Sequence, residues 1–176
     1  MAKANHFLQA RVIIRPPTLR DWPVFQAAVR RSCLLHRRWV LPPNTRKKFE
    51  ACLKRMTSDS HRAFLVVLRE SGDLVGSINL GHIIHEPLRS AFVGYYAFVP
   101  HARKGLMSEG MLLVLNHAFQ KLKLHRIEAN IQPGNRASLR LVRSCGFVRE
   151  GFSRRYLKVG GHWRDHERWA ILAEGM

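Results

Sequence analysis

Residues 125–147, "HRIEANIQPGNRASLRLVRSCGF", pass from the period of a β-strand to that of a helix. In "HRIEANI" every second side chain is apolar, which predicts a strand that buries one face. Its other face consists of Arg126, Glu128 and Asn130. Asn135 then opens a predicted short helix, which closes at Gly146. The stretch therefore predicts a strand and a helix of an α/β domain.

The segment before it predicts an antiparallel meander followed by a long helix. Three runs have the β-branched and aromatic content of strands, namely "AFLVVLRE", "LVGSINLGHI" and "SAFVGYYAFV". Residues 71–73 supply a hairpin turn between the first two runs. Apolar residues then recur at helical spacing from Met107 to Leu122, which predicts a helix that packs one side on the sheet.

The two ends of the chain complete the domain. "RVIIRP" predicts a first strand, Thr18 can cap a helix, and a second helix follows the break at residues 42–44. The last segment predicts two strands joined through Gly160 and Gly161. The predicted order is strand, two helices, three strands, helix, strand, helix and two strands. We therefore expect a single domain over residues 1–176, built on one mixed, mostly antiparallel sheet of six to seven strands with about four helices.

Charge is the most unusual property of the composition. The 30 lysines and arginines outnumber the 12 acidic residues, which gives a formal net charge of +18. Such a surface favours an anionic partner, whether nucleic acid, an anionic cofactor or an acidic protein, although solvated charge without a partner is the plain alternative. A polycationic substrate such as a polyamine or an aminoglycoside would be repelled, because the sequence has no acidic cluster to attract it.

The cysteines, the histidines and the apolar runs of the sequence disfavour several classes of protein. Cys33, Cys52 and Cys145 are odd in number and lack zinc-site spacing, so we expect buried thiols, no metal and a cytoplasmic location. His162 and His166 have the spacing of helical ligands, but the glycines beside them favour a hairpin. No apolar run is long enough to span a membrane. We also expect an unprocessed N-terminus, although its arginines resemble a transit peptide.

The stretch "HARKGLMSEGML", residues 101–112, lies between the third meander strand and the long helix. A glycine at such a turn exposes backbone N–H groups at a helix N-terminus, where the peptide dipoles favour an anion. Gly105 permits close approach of the backbone, Arg103 and Lys104 add charge, and Ser108 adds a hydroxyl. The stretch predicts a phosphate site, with a plain turn as the alternative.

Three segments together carry a family resemblance: "GYYAFVPHARKGLMSEGM", "HRIEANIQPGNRASLRLVRSCGFVREG" and "YLKVGGHWRDHERWAI". They resemble the GNAT N-acetyltransferases, and most of all the Rim-type (RimJ/RimL-like) branch, which acetylates N-terminal amines of ribosomal proteins. The resemblance extends over nearly the whole chain. It implies the GNAT fold, in which two neighbouring strands are splayed, and acetyl-CoA as the co-substrate.

The resemblance also implies a set of acetyl-CoA-binding residues. They are Phe98, Val99, Arg103, Lys104, Gly105, Leu106, Met107, Ser108, Asn130, Asn135 and Ser138. The family's diphosphate loop reads Q/RxxGxG/A, and the matching window is "ARKGLM". Only Gly105 agrees at the fixed positions, since Ala102 and Met107 depart from the pattern and Arg103 replaces a common glycine. Met107 is nevertheless shared with the Rim branch. These departures leave the affinity for acetyl-CoA open.

The same resemblance implies the catalytic groups and the acceptor site. Ser138 would protonate the departing thiolate, because Val142 stands where some relatives carry a tyrosine. Glu128 is a candidate general base, with an ion pair to an arginine as the alternative. Trp39 and Tyr95 would border the acceptor. Direct attack by the amine in a ternary complex is the expected mechanism, because Cys145 has no activating histidine.

Two classes of function remain open from the sequence. The first is an acetyl-CoA-dependent N-acetyltransferase for the N-terminus of a protein such as a ribosomal protein, with rRNA contacting the basic surface. The second is a basic module of the same fold that binds RNA or the ribosome without turnover. Within the enzyme class, a small-molecule amine is a further alternative. The sequence also leaves open whether the chain is a monomer or a homodimer.

Overall fold

The computed structural model describes residues 10–56 and 58–175. Within them lies one seven-stranded sheet in the order β1-β2-β3-β4-β5-β7-β6. The strands are β1 (Val12–Arg15), β2 (His61–Leu68), β3 (Leu74–Ile84), β4 (Ser90–Ala97), β5 (Arg126–Ile131), β6 (Val148–Val159) and β7 (His162–Leu172). The helices are α1 (Trp22–Arg31), α2 (Cys33–His36), α3 (Arg46–Arg55), α4 (Leu106–Gln120) and α5 (Arg136–Ser144). The predicted mixed sheet is confirmed.

The two central strands separate along their length. β4 and β5 form the parallel pair of the sheet, and their register runs only from Ser90 opposite Arg126 to Phe92 opposite Glu128. Beyond Phe92, β4 continues for five residues without this neighbour. The predicted splayed pair is therefore present, and the end of β4 has backbone groups that β5 does not pair.

Each face of the sheet carries its own core. On one face, Met111, Val114 and Leu115 of α4 are fully buried in the larger cluster. A methyl group on Gly110 would lie 2.8 Å from the side chain of Val66, so α4 lies very close to β2. On the other face, Phe25 of α1 packs with aromatic side chains from α3 and from the end of β4. The site described below lies beside the gap between β4 and β5.

Three details differ from the sequence prediction. The first helix begins at Trp22, because the Asp21 carboxylate accepts a hydrogen bond from the Thr18 N–H (2.7 Å) and holds a short 3-10 turn before it. The four-residue helix α2 was not predicted. The prediction of buried thiols holds for Cys145 and is wrong for Cys33, which is exposed. The N-terminal processing signals discussed above lie outside the described residues. Within the described part, the helices are too short or too polar to span a bilayer.

Candidate active site

A cavity of about 700 Å³ opens beside the unpaired end of β4. It is bounded by that strand, by the N-terminal turn of α4, by α5, and by α2 with the turn that follows it. Eight of the predicted site residues line it: Trp39, Tyr95, Arg103, Gly105, Met107, Ser108, Asn135 and Ser138. The structure thus brings together the predicted phosphate loop, the start of the late helix and the predicted acceptor residues.

The register of β4 shows which of its backbone groups face the gap. The Phe98 N–H donates to the Val75 carbonyl of β3 at 2.7 Å. Hydrogen-bonding direction alternates along an antiparallel strand, so the backbone groups of Ala97 and Tyr95 point the other way, towards the gap. The Ala97 carbonyl confirms this direction, because it is bonded by His36, which lines the cavity (Nε2 to O, 2.7 Å).

This register corrects the prediction for Phe98 and Val99. Phe98 is fully buried in the second core, and its N–H is bonded to β3. The Val99 N–H donates to the hydroxyl oxygen of Ser32 at 3.0 Å. The N–H groups of Phe98 and Val99 are therefore bonded within the chain and are not available to a ligand. The N–H groups that point into the gap between β4 and β5 belong to Tyr95 and Ala97.

The N-terminus of α4 has the geometry of an anion site. Gly105 caps the helix with a φ of 80°, in the left-handed region that favours glycine. The N–H groups of Ser108 and Glu109 donate back to the Gly105 carbonyl. Within the described residues no acceptor bonds the N–H groups of Leu106 and Met107, so these two remain for a ligand. The side chains of both residues are buried.

Two departures from the family loop, Arg103 and Met107, have visible structural consequences. Arg103 has a φ of 64°, a conformation in which a side chain is strained and glycine is not. Met107 points into the core, where its sulfur fills the space above Gly76, and a methyl group on Gly76 would overlap that sulfur and the Tyr96 carbonyl oxygen. The bulk of Met107 is thus accommodated away from the anion site.

Arg11 was missed by the sequence analysis, and it braces this loop. Its guanidinium donates to Glu109 Oε1 through Nε (2.8 Å) and to the Lys104 carbonyl through Nη2 (3.1 Å). Its own N–H also donates to Glu109 Oε2 at 2.8 Å. Glu109 therefore fastens the start of β1 to the first turn of α4. Lys104 is exposed and does not line the cavity.

The start of α5 presents polar groups to the cavity. The Asn135 Oδ1 accepts a hydrogen bond from the Ser138 N–H (3.2 Å), which confirms the N-cap and leaves the amide nitrogen of Asn135 for other partners. The Tyr95 hydroxyl donates to the Ser138 carbonyl at 3.2 Å. Burial raises the pKa of the Tyr95 phenol well above its ordinary value, so the phenol stays protonated at neutral pH. Val142 is fully buried in the core and cannot reach a ligand.

Glu128 and Asn130 lie on the polar face of β5, and neither lines the cavity. The Glu128 Oε1 accepts from Arg126 Nε at 2.9 Å, and Arg126 also pairs with Glu150. The ion-pair alternative for Glu128 is therefore the one that the structure shows. Asn130 has a buried Oδ1 without a hydrogen-bond partner among the described residues.

His36, another residue that the sequence analysis did not select, joins α2 to the end of β4. It is 4% exposed. A carbonyl can only accept, so Nε2 carries the proton that bonds Ala97, and the neutral ring has its lone pair on Nδ1. Burial lowers the pKa of His36, which keeps the ring neutral. Nδ1 is buried and has no partner among the described residues.

The cavity is electropositive. Its cationic side chains are Arg103, Arg136 and Arg140, and no aspartate or glutamate lines it. Over residues 10–56 and 58–175, no three histidine, cysteine, aspartate or glutamate side chains gather as a metal site would require. A large cavity, two N–H groups at a helix N-terminus and unpaired strand N–H groups together suit a long, polyanionic ligand such as acetyl-CoA.

Comparison with known proteins agrees with this geometry. A family model described as an acetyltransferase (GNAT) domain matches residues 11–148. The probable N-acetyltransferase YjcK of Bacillus subtilis is 39% identical over 127 residues, 72% of this chain and 70% of the relative. The [ribosomal protein uS5]-alanine N-acetyltransferase of Escherichia coli is 31% identical over 94 residues, 53% of this chain and 48% of the relative.

A solved structure extends the likeness to the whole fold. RimJ of Mycobacterium smegmatis, in complex with CoA-disulfide, has a TM-score of 0.85 and 28% identity, and the match covers 93% of this chain and 82% of that one. The chain therefore belongs to the GNAT family, as an acetyl-CoA-dependent N-acetyltransferase.

Proposed function

We propose that this enzyme acetylates the N-terminal α-amine of a protein in the cytoplasm, most of all a ribosomal one. The observation that carries the proposal is the charge of the cavity, which three arginines line without any carboxylate. A polyamine would need carboxylates to hold its additional ammonium groups. A protein N-terminus brings one amine and needs no such partner.

The ionisation of the acceptor supports the same choice. With reference pKa values of about 7.8 and 10.4, about 14% of an α-amine is neutral at pH 7, against about 0.04% of a lysine. The α-amine is thus favoured about 300-fold before any catalysis. Glu128, the base candidate from the sequence, is held by Arg126, so an acceptor amine that is already partly neutral at pH 7 fits this structure best.

The acetyl-CoA-binding residues are assigned by position. We assign the diphosphate to the N–H groups of Leu106 and Met107 and to Arg103, with the Ser108 hydroxyl beside them. Asn135 and the unpaired strand groups of Tyr95 would hold the pantetheine arm. When bound, acetyl-CoA supplies an acetyl group activated as a thioester.

Four residues of the chain would then serve the transfer. The Ala97 N–H faces the gap and donates a hydrogen bond that favours negative charge on an acyl oxygen. The Ser138 hydroxyl, in the first turn of α5, donates to the leaving sulfur. Trp39 and Tyr95 border the acceptor amine and hold it in place.

The names of the relatives agree with this acceptor. The Escherichia coli relative modifies an alanine of ribosomal protein uS5, and the similar solved structure is a RimJ. The net charge of +18 suits a protein that works beside rRNA.

The experiment is an acceptor screen at saturating acetyl-CoA. Equimolar peptides with free alanine, serine and methionine N-termini are compared with the same peptides blocked at the N-terminus and carrying an internal lysine, and with spermidine. We expect kcat/KM for free N-termini to exceed that for the blocked peptides at least 100-fold. Turnover of spermidine at a rate equal to that of the peptides would contradict the proposal.

A further inference from the structure

The hairpin of β6 and β7 extends beyond the packed part of the sheet. From residue 154 to residue 165, which we call the arm, every side chain outside the glycine turn is exposed apart from the half-buried Val159. The core resumes at His166, which is 3% exposed. Both faces of the arm are thus open to a partner.

A wide bulge shapes the base of the arm. Ser153 pairs with His166 and Leu157 pairs with Arg164, so residues 154–156 lie opposite the single residue Asp165. The Asp165 carboxylate accepts a hydrogen bond from the Arg155 N–H at 2.7 Å, and Arg155 has a φ of 47°. A bulge of this kind turns side chains out of the strand surface, and such features gather next to functional sites.

The cations of the arm have no acidic partners. They are Arg154, Arg155, Lys158 and Arg164. None of them forms an ion pair within residues 10–56 and 58–175, whereas Arg149 at the packed end of β6 pairs with Glu167. The acid of the arm, Asp165, is engaged by the backbone of the bulge. The arm therefore presents four positive charges that its own surroundings do not neutralise.

Aromatic side chains alternate with these cations. Trp163 is 60% exposed and lies directly opposite Lys158, so the indole and the ammonium share one face. Leu157 and Arg164 share the other face, and Tyr156 is 37% exposed in the bulge, where the His166 ring lies edge-on to it. Beside Lys158, the exposed indole of Trp163 offers a stacking plane next to a cation.

We propose that the arm binds single-stranded RNA, with bases stacked on Trp163 and Tyr156 and phosphates paired with the four cations. Unpaired bases stack on aromatic side chains, and backbone phosphates bind arginine and lysine. An acidic protein surface would satisfy the cations but would leave the exposed ring without a stacking partner. The choice of RNA over DNA rests on the proposed function, because RNA is the polyanion beside a ribosomal acceptor.

The test is fluorescence anisotropy of the full chain with a labelled, unstructured 12-nucleotide RNA, without acetyl-CoA or acceptor. Four phosphate contacts predict that log Kobs falls against log salt with a slope of about −2.8, at about −0.7 for each contact. Trp163→Ala should weaken binding about 5- to 140-fold. The double variant Arg154→Ala/Arg155→Ala should bring the slope to about −1.4.

The matched control removes two exposed lysines that lie outside the arm. Lys47→Ala/Lys48→Ala, on α3, takes away the same charge and should leave the RNA affinity within about twofold of the parent. Equal losses in the control and in the arginine variant would overturn the proposal, as would an RNA affinity that does not change in Trp163→Ala. Sedimentation showing a dimer that Trp163→Ala dissociates would assign the arm to a second copy and also overturn it. Acetyl transfer to peptides is measured separately, so failure of the arm and failure of the proposed function are distinguishable.

Discussion

Replacing Arg103 by glycine should make the protein more stable and its acetyl-CoA binding weaker. Arg103 has a φ of 64°, which costs an L-residue about 1–2 kcal/mol. Glycine removes that strain but loses about 0.5–1 kcal/mol through the added freedom of the unfolded chain. The net gain is about 0.5–1 kcal/mol, which corresponds to a rise in Tm of about 1–4 °C for a chain of this length.

Binding should change in the opposite direction. Arg103 is exposed and lines the cavity beside the α4 N-terminus, so we expect its charge-assisted hydrogen bond to a phosphate to contribute about 1.5 kcal/mol. Its loss should raise the Kd for acetyl-CoA roughly tenfold. Because the site is open to solvent, the difference should shrink at high salt.

Arg103→Ala separates the two effects. Alanine keeps a Cβ and therefore keeps the strain, but it removes the charge. It should lose affinity like the glycine variant and gain no stability. Calorimetric titration with acetyl-CoA at two salt concentrations, together with thermal unfolding, measures both quantities. Equal Tm values for the two variants would refute the strain argument, and an unchanged Kd in Arg103→Ala would refute the role of the charge.

Four further predictions concern other groups of the site and the buried histidines. His36→Leu leaves the Ala97 carbonyl without its donor, so it should lower the free energy of unfolding in urea by about 1–3 kcal/mol and should also lower kcat. His36→Gln can still donate to this carbonyl and should recover most of the stability and of kcat. Equal losses in the two variants would argue against the hydrogen bond. Ser138→Ala should lower kcat about 10- to 100-fold and should keep the Kd for acetyl-CoA within twofold of the parent. An unchanged kcat would remove Ser138 from the mechanism. Glu128→Gln should leave the pH–rate profile unchanged, because Glu128 is held by an arginine. Burial lowers the pKa of His36 and of His166, so below pH about 6.5 the unfolded chain binds protons that the folded chain does not. As the pH decreases through this range, the free energy of unfolding should decrease by at most about 1.4 kcal/mol per pH unit for each ring. A free energy of unfolding that stays constant between pH 7.5 and 5.5 would contradict this assignment.

The parts of the site that the sequence predicted are those with a local signal. Gly105 before a helical period, and Asn135 at the start of the next one, each combine a backbone requirement with a neighbouring pattern, and the structure shows both as helix caps. The period of two in residues 126–131 likewise predicted which face of β5 is buried. The sequence is enough to predict a feature when the groups that interact are only a few residues apart.

The parts that were missed depend on contacts between distant residues. Arg11 meets Glu109 across 98 positions, and His36 meets Ala97 across 61. The N–H directions of Phe98 and Val99 were missed for a related reason, since the side to which a strand N–H points reverses at each residue. The pairing of β4 with β3, which includes the bond from the Phe98 N–H to the Val75 carbonyl, fixes these directions, and no pattern within β4 contains it.

The end of β4 must satisfy two opposed requirements. Its N–H groups are useful to an acyl oxygen only where no neighbouring strand has paired them, yet a strand end without a neighbour is free to move. Ser32 and His36, one helical turn apart, resolve this by bonding the Val99 N–H and the Ala97 carbonyl while the Ala97 N–H stays open to the gap. Both side chains are nearly inaccessible, at 1% and 4% exposure, so their positions are set by packing. The segment that begins at Ser32 thus holds the strand end in place of β5, and the same segment carries Trp39 to the cavity.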